Sequence, residues 1–123
     1  MNLPQEITTA PDDTIKLVLD GPATNVEWQA LLKRYLGIAK QTGVVRLFAE
    51  VRDSAAWDSL TKFLYLVRWK LLGTAVQQRI ALATLPALLT KATGLLATHT
   101  TNMDVHVVPV ERRAEADRWL LEA

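Results

Sequence analysis

The chain has 123 residues, of which 50% are hydrophobic and 22% are charged, and it contains no cysteine. This length and apolar fraction predict a single folded domain over residues 1–123 and exclude an intrinsically disordered chain. The lack of cysteine excludes disulfide scaffolds, thiolate nucleophiles and cysteine-ligated metals, and an acidic N-terminus unlike a secretory signal favours a cytosolic protein.

The formal net charge of +1 is unevenly distributed along the chain. Residues 1–30 carry −4, residues 31–91 carry +7 and residues 92–123 carry −2. The basic residues of the middle segment are scattered, which is typical of solvated helix faces and predicts no nucleic-acid partner. No apolar run approaches the roughly 18 residues that a membrane-spanning helix needs.

The first predicted element is a strand. Ile15, Leu17 and Leu19 alternate with other residues, so they lie on one face and predict a half-buried strand. The segment 7–10 precedes a proline-containing turn and is expected to pair with this strand as a hairpin.

A capped helix and a second strand follow. Thr24 and Glu27 have the spacing of a capping box, and Gly43 stands where a left-handed C-cap belongs. Between them, apolar residues recur at helical spacing: Trp28, Leu31, Leu32, Tyr35, Ile38 and Ala39. The segment 44–51 is apolar on both faces, which predicts a central strand covered by helices.

The next helix, predicted over residues 57–72 with Asp53 or Ser54 as its cap, is apolar almost all the way round. One stripe contains Trp57, Leu60, Phe63, Leu64, Val67 and Leu71, and a second face contains Tyr65, Leu66, Trp69 and Leu72. A single sheet covers only one face of a helix, so the second face needs another subunit, a ligand or a neighbouring loop. We expect the second face to form a homodimer interface.

The remaining elements continue the alternation. The pattern predicts a strand over 79–84, a helix over 86–97, an edge strand over 104–110 and a terminal helix over 111–121. Strands that alternate with helices of this length predict an α/β fold. We expect a mostly parallel sheet of four or five strands with about four helices.

Most catalytic motifs are missing. The five glycines form no phosphate-binding loop or dinucleotide fingerprint, and neither Ser54 nor Ser59 lies in a nucleophile elbow. His99 and His106 are seven residues apart on different elements, so no metal-ligand spacing exists. We interpret His99 as a solvated loop residue and His106 as a residue of a strand face. The sequence therefore predicts no catalytic residue, no metal and no cofactor.

Polar residues gather where the central strand meets the next helix. Ligands of parallel α/β sheets bind outside the carboxyl ends of the strands, so the candidate ligand-binding residues are Asp53, Ser54, Trp57, Asp58 and Ser59, close in sequence to Glu50. Alternatively, Asp53 and Asp58 only cap the helix, and Trp57 packs in the core. An enzyme would need a site built from Asp53, Asp58 and His99, and no pattern specifies its reaction.

Several of these patterns match those of a known family. They are Thr24-x-x-Glu27, the strand over 44–51, the short linker to Trp57, the strand over 80–83 and the ending 114–120, with its acidic residue, alanine and Trp-Leu pair. Over about residues 12–121 the chain resembles the SpoIIAA-like family of the STAS superfamily, which consists of small bacterial proteins. The STAS fold is itself similar to the lipid-binding Sec14-type domain.

This resemblance implies a sheet covered by helices, no known catalysis, and a role in protein interaction or small-ligand binding. STAS antagonists are switched by phosphorylation of a serine that follows an Asp-Ser pair and precedes a glycine. Asp58 and Ser59 align with that pair, but Leu60 stands at the phosphorylated position and Thr61 at the glycine. The resemblance therefore does not carry the switch over, although Ser54 or Ser59 could accept a phosphate near a helix N-terminus.

Together, these features predict a non-enzymatic SpoIIAA-like domain that acts as a protein-interaction or regulatory module. We expect a homodimer, with a regulatory protein as a possible further partner. The alternative is a carrier or sensor of a small lipophilic or anionic ligand, which would bind to the helix over 57–72 and the carboxyl ends of the strands.

Overall fold

The structure is a computed structural model that describes residues 6–9, 14–20, 24–89 and 102–121. Its strands are β1 (Glu6–Thr9), β2 (Ile15–Leu19), β3 (Val44–Val51), β4 (Gln77–Thr84) and β5 (Met103–Pro109). Its α-helices are α1 (Asn25–Thr42), α2 (Ser54–Lys70) and α3 (Arg113–Leu121), and short 3-10 helices cover Pro86–Leu88 and Val110–Arg112.

The strands form one five-stranded sheet in which the spatial order follows the chain order. β1 is antiparallel to β2, and β2, β3, β4 and β5 are mutually parallel. The predicted α/β class, the N-terminal hairpin and the parallel sheet are thereby confirmed. Because α1 and α2 each connect two parallel strands, both helices begin at the carboxyl end of the sheet.

Helices lie on both faces of this sheet. α1 and α2 share one core with the buried residues of β2 and β3, including Leu17 and Leu47. α3 packs on the opposite face, where Ala116 and Leu120 contact Ala81 and its neighbours. Because helices cover both sides of the sheet, β3 carries apolar residues on both faces, as predicted for a central strand, although the charged Glu50 also lies on the α3 face.

The ends of α1 are those that the sequence predicts. The Thr24 hydroxyl accepts from the backbone N–H of Glu27 at 3.2 Å, and the Glu27 carboxylate accepts from the backbone N–H of Thr24 at 2.8 Å. Gly43 adopts the left-handed conformation, with φ of +75°, and its N–H donates to the Ala39 carbonyl. A residue with a Cβ is strained at this angle, so glycine suits the C-cap.

Several element boundaries differ from the predictions by one to three residues, and α2 ends at Lys70 rather than at residue 72. α2 begins at Ser54 rather than at residue 57, because Asp53 caps it and Ala55 and Ala56 continue the helix. β4 begins at Gln77, two residues before the predicted start, because Gln77 and Gln78 donate backbone hydrogen bonds to neighbouring carbonyls.

The C-terminal part of the chain agrees with the prediction where it is described. Only the beginning of the helix predicted over 86–97 is covered, as a 3-10 turn at Pro86–Leu88, and residues 90–101 lie outside the described part. Within the described sheet β5 is an edge strand, as Pro109 suggested. α3 begins at Arg113, two residues after the predicted start, because a 3-10 turn precedes it.

Candidate functional site

Asp53 acts as the N-cap of α2. Its Oδ2 atom accepts from the backbone N–H groups of Ala55 at 3.0 Å and Ala56 at 3.2 Å. These two groups would otherwise lack acceptors at the helix start. Of the other predicted ligand residues here, Ser54 and Asp58 are exposed and Ser59 is half-buried.

Trp57, the remaining predicted ligand residue, belongs to the core. It is 1% exposed, and its indole N–H donates to the Thr84 hydroxyl at 3.3 Å. The Thr84 hydroxyl in turn donates to the Val51 carbonyl at 2.8 Å, so three elements meet at this point. Trp57 therefore presents almost no surface to a ligand.

Leu60, which the sequence resemblance aligns with the STAS phosphoserine, is fully buried. It has no hydroxyl to phosphorylate, and its side chain belongs to the core between the helices and the sheet. This position therefore offers no phosphorylation site, whereas Ser54 and Ser59 keep accessible surface.

Glu50 lies on the other side of the sheet from the start of α2. Its carboxylate is 5% exposed and accepts from the Arg113 guanidinium at 3.0 Å, and it also forms an ion pair with Arg52. The hydrogen bond to Glu50 raises the pKa of Arg52 above its usual value. The sequence neighbours Glu50, Asp53 and Asp58 thus do not form one acidic site, because Glu50 pairs with residues on the α3 side.

His106 lies on the α3 face of β5, where it stacks on Trp119 with ring centroids 4.8 Å apart. The guanidinium of Arg79 lies 4.2 Å from the centroid of the same indole and donates to the Trp119 carbonyl at 2.7 Å. Both residues therefore hold α3 on the sheet, as expected for a histidine on a strand face. His99 lies outside the described residues.

A groove of about 250 Å³ lies between the outer sides of α1 and α2. Its apolar lining consists of Trp28, Leu32, Phe63 and Leu66. The rings of Trp28 and Phe63 contact each other with centroids 5.4 Å apart. The groove thus lies between α1 and α2 beside an aromatic pair with one ring from each helix.

The polar lining of the groove comes from Asn25 and Gln29 on α1 and from Ser59 and Lys62 on α2. The indole N–H of Trp28 is buried and has no acceptor in the described part of the chain. Such a donor is unusual, because most buried N–H groups are hydrogen-bonded. Of the predicted ligand residues, only Ser59 lines this groove.

The second face of α2 is exposed, as its position off the apolar stripe predicted. Tyr65 is 50% exposed, Leu66 40%, Trp69 74% and Leu72 59%. We call these four residues the α2 patch. The guanidinium of Arg68 lies 5.8 Å from the Tyr65 ring centroid at one border of the patch, and Leu66 connects the other border to the groove.

The described residues contain no group of three or more His, Asp or Glu side chains that could hold a metal ion. Nor is any helix among them both long and apolar enough to cross a bilayer.

Comparisons of this chain with protein-family models, with curated proteins and with solved structures find no match. The function of the chain is therefore inferred from the features of its own surface. Its main features are the groove and the α2 patch.

The groove itself was not predicted from the sequence. Trp28 follows the helical apolar spacing, which does not distinguish a core residue from one that is half-buried at a groove, as Trp28 is. Asn25, Gln29 and Lys62 carry no motif, and they converge only because α1 and α2 pack side by side. No local pattern in the sequence predicts that α1 and α2 pack side by side.

Proposed function

We propose that the chain is a SpoIIAA-like domain of the STAS superfamily that acts without catalysis, as an interaction module that forms a homodimer through the α2 patch. The described sheet, with one antiparallel and four parallel strands covered by helices, supports the SpoIIAA-like assignment. The proposal also places the domain in the cytosol, in keeping with a chain that has no cysteine.

The α2 patch is the observation that carries this proposal. Trp69 and Leu72 are each more than half exposed; Trp69 lies on α2 with Tyr65 and Leu66, and Leu72 lies just beyond the end of that helix at Lys70. Contiguous exposed apolar surface of this kind marks interaction sites on soluble proteins, and tryptophan and tyrosine are enriched at interface centres. The apolar stripe of the same helix is buried, so the patch exists beside a complete core.

A second copy of the chain is the partner that the patch fits best. When two α2 helices pack antiparallel and are centred between Tyr65 and Trp69, each Tyr65 ring faces the Trp69 ring of the other copy. Such aromatic pairs contribute about 0.5–1.5 kcal/mol each beyond the area that they bury. This arrangement is isologous, because the same surface serves both partners, as in most two-fold dimers.

Sedimentation velocity of the wild type and of Trp69→Asp tests this proposal. We expect a dimer for the wild type and a folded monomer for the variant, because an unpaired carboxylate buried in the interface costs several kcal/mol. The fold survives because Trp69 makes up no part of the core. Circular dichroism verifies this.

Val26→Asp is the matched control. Val26 is 58% exposed on α1 and lies outside the α2 patch, so the same change of charge leaves the dimer intact. A wild type that sediments as a monomer at high concentration would contradict the proposal. An unchanged dimer in Trp69→Asp would place the interface elsewhere on the surface.

A further inference from the structure

The geometry of the α1/α2 groove points to a binding site for a small apolar monocarboxylic acid. The groove shares Leu66 with the α2 patch, but Tyr65, Trp69 and Leu72 do not line it, and all the residues of the site come from one chain. Medium-chain fatty acids belong to this ligand class. Four observations carry the inference: the size of the groove, its apolar floor, its unpaired donor and its charge.

The groove has the size and lining of a site for a small ligand. A dry apolar cavity of about 150 Å³ holds a benzene molecule. The groove, at about 250 Å³, therefore has room for a ligand of about ten non-hydrogen atoms. The Trp28 and Phe63 rings and the side chains of Leu32 and Leu66 provide an apolar surface for the body of such a ligand.

The buried indole N–H of Trp28 is a hydrogen-bond donor that an acceptor oxygen of a ligand could pair with. It has no hydrogen-bond partner in the described part of the chain, although Trp28 lines the groove. Protein atoms cover this N–H in the structure, so a ligand oxygen reaches it only when the half-buried indole turns toward the groove. That contact would remove the free-energy cost of the unpaired donor. Among the described residues, Trp28 is the one tryptophan whose indole N–H is both buried and without a hydrogen-bond partner.

The positive charge around the groove favours an anionic ligand. Lys62 lines the groove, is exposed and forms no ion pair within the described part of the chain. Among the described residues, no acidic side chain lines the groove. α1 and α2 together carry six Lys or Arg residues against two acidic residues, a net charge of +4. Both helices also begin at the carboxyl end of the sheet, so their positive dipole ends lie on the same side.

One carboxylate is the head group that matches these features. The Lys62 ammonium is a single cation, and Asn25, Gln29 and Ser59 add neutral hydrogen-bonding groups around it. A carboxylate accepts hydrogen bonds from such donors, and an aliphatic chain covers the aromatic floor. A neutral molecule with the same chain would gain the apolar contacts but lose the ion pair.

Nuclear magnetic resonance titration with octanoate tests the inference, with octan-1-ol as the neutral probe of the same chain length. The indole N–H signal of Trp28, assigned from a Trp28→Phe variant, is the reporter. We expect a saturable shift of this signal with octanoate at millimolar concentration or below, and binding of octan-1-ol that is about fivefold weaker.

Lys62→Gln removes the charge at the groove and is expected to weaken octanoate binding about fivefold. Lys40→Gln is the matched control. Lys40 is exposed near the other end of α1 and does not line the groove, so this variant loses the same charge without weakening binding. Both lysines are exposed, so both variants are expected to fold.

The absence of a saturable shift in the wild type would overturn the inference. Equal affinity for octanoate and octan-1-ol, or an unchanged affinity in Lys62→Gln, would overturn the anionic head group. Repeating the titration with Trp69→Asp separates this inference from the dimer. Octanoate binding persists in that variant if the two sites are independent, and loss of binding would contradict a site that is complete within one chain.

Discussion

At the scale of single residues, Tyr35 is fixed on the α1 face by both a ring contact and a hydrogen bond. Its ring is fully buried and meets the Phe63 ring edge-on, with centroids 5.5 Å apart at 87°. Its hydroxyl donates to Oε1 of the buried Gln78 at 2.7 Å. Burial raises the pKa of Tyr35 well above its usual value, because the phenolate would lose its hydration.

Tyr35→Phe is expected to lower the free energy of unfolding by about 1–2 kcal/mol at neutral pH, because Gln78 loses its donor. The variant also changes the pH dependence. Below about pH 10, Tyr35 is protonated in both the folded and the unfolded states. Above that pH, only the unfolded chain releases this proton, so the wild type loses stability by about 1.4 kcal/mol per pH unit from this residue.

Urea unfolding at pH 8 and at two alkaline pH values measures this difference. The Tyr35→Phe variant lacks the contribution of this tyrosine, so the two stability profiles converge as the pH rises. Parallel profiles would show that the Tyr35 hydroxyl ionises equally in both states, which would contradict the burial argument.

At the scale of elements, the helices begin and end where local chemistry dictates. The capping box at Thr24 and the glycine at position 43 set the limits of α1, and both could be predicted from the sequence. The start of β4 could not, because it depends on a distant partner. Gln78 is buried although it is polar, and its partner Tyr35 lies 43 positions earlier in the chain.

Asp53→Ala tests the capping role of a residue that the sequence also offered as a ligand contact. We expect a loss of about 1 kcal/mol in the free energy of unfolding, because Ala55 and Ala56 lose their acceptor. Asp53→Asn keeps an acceptor oxygen and should retain most of that stability. Chemical denaturation measures both. Equal stability of Asp53→Ala and the wild type would contradict the capping role.

At the scale of the whole molecule, the two faces of the sheet differ in character. The α3 face is held by pairs between residues far apart in sequence, such as Lys16 with Asp117 at 3.3 Å and Glu50 with Arg113 at 3.0 Å. The Lys16 pair is exposed and contributes little to stability, whereas Glu50 is buried and needs its partners. The opposite face carries α1 and α2, with the groove and the α2 patch.

The order of strands and helices and the buried stripes could be predicted because periodicity and capping are local properties. The α2 patch could also be predicted, since a helix that is apolar all round leaves one face uncovered by a single sheet. The groove and the Glu50 pairs could not, because each arises from contacts between elements that the sequence does not place side by side.

The central claim about this protein is that two copies pair through the α2 patch. A native mass spectrum of the purified protein tests this claim most directly. We predict a main species with twice the mass of the 13.7 kDa chain, which returns to the single-chain mass on denaturation. A spectrum that contains only the 13.7 kDa species across the accessible concentrations would contradict the account.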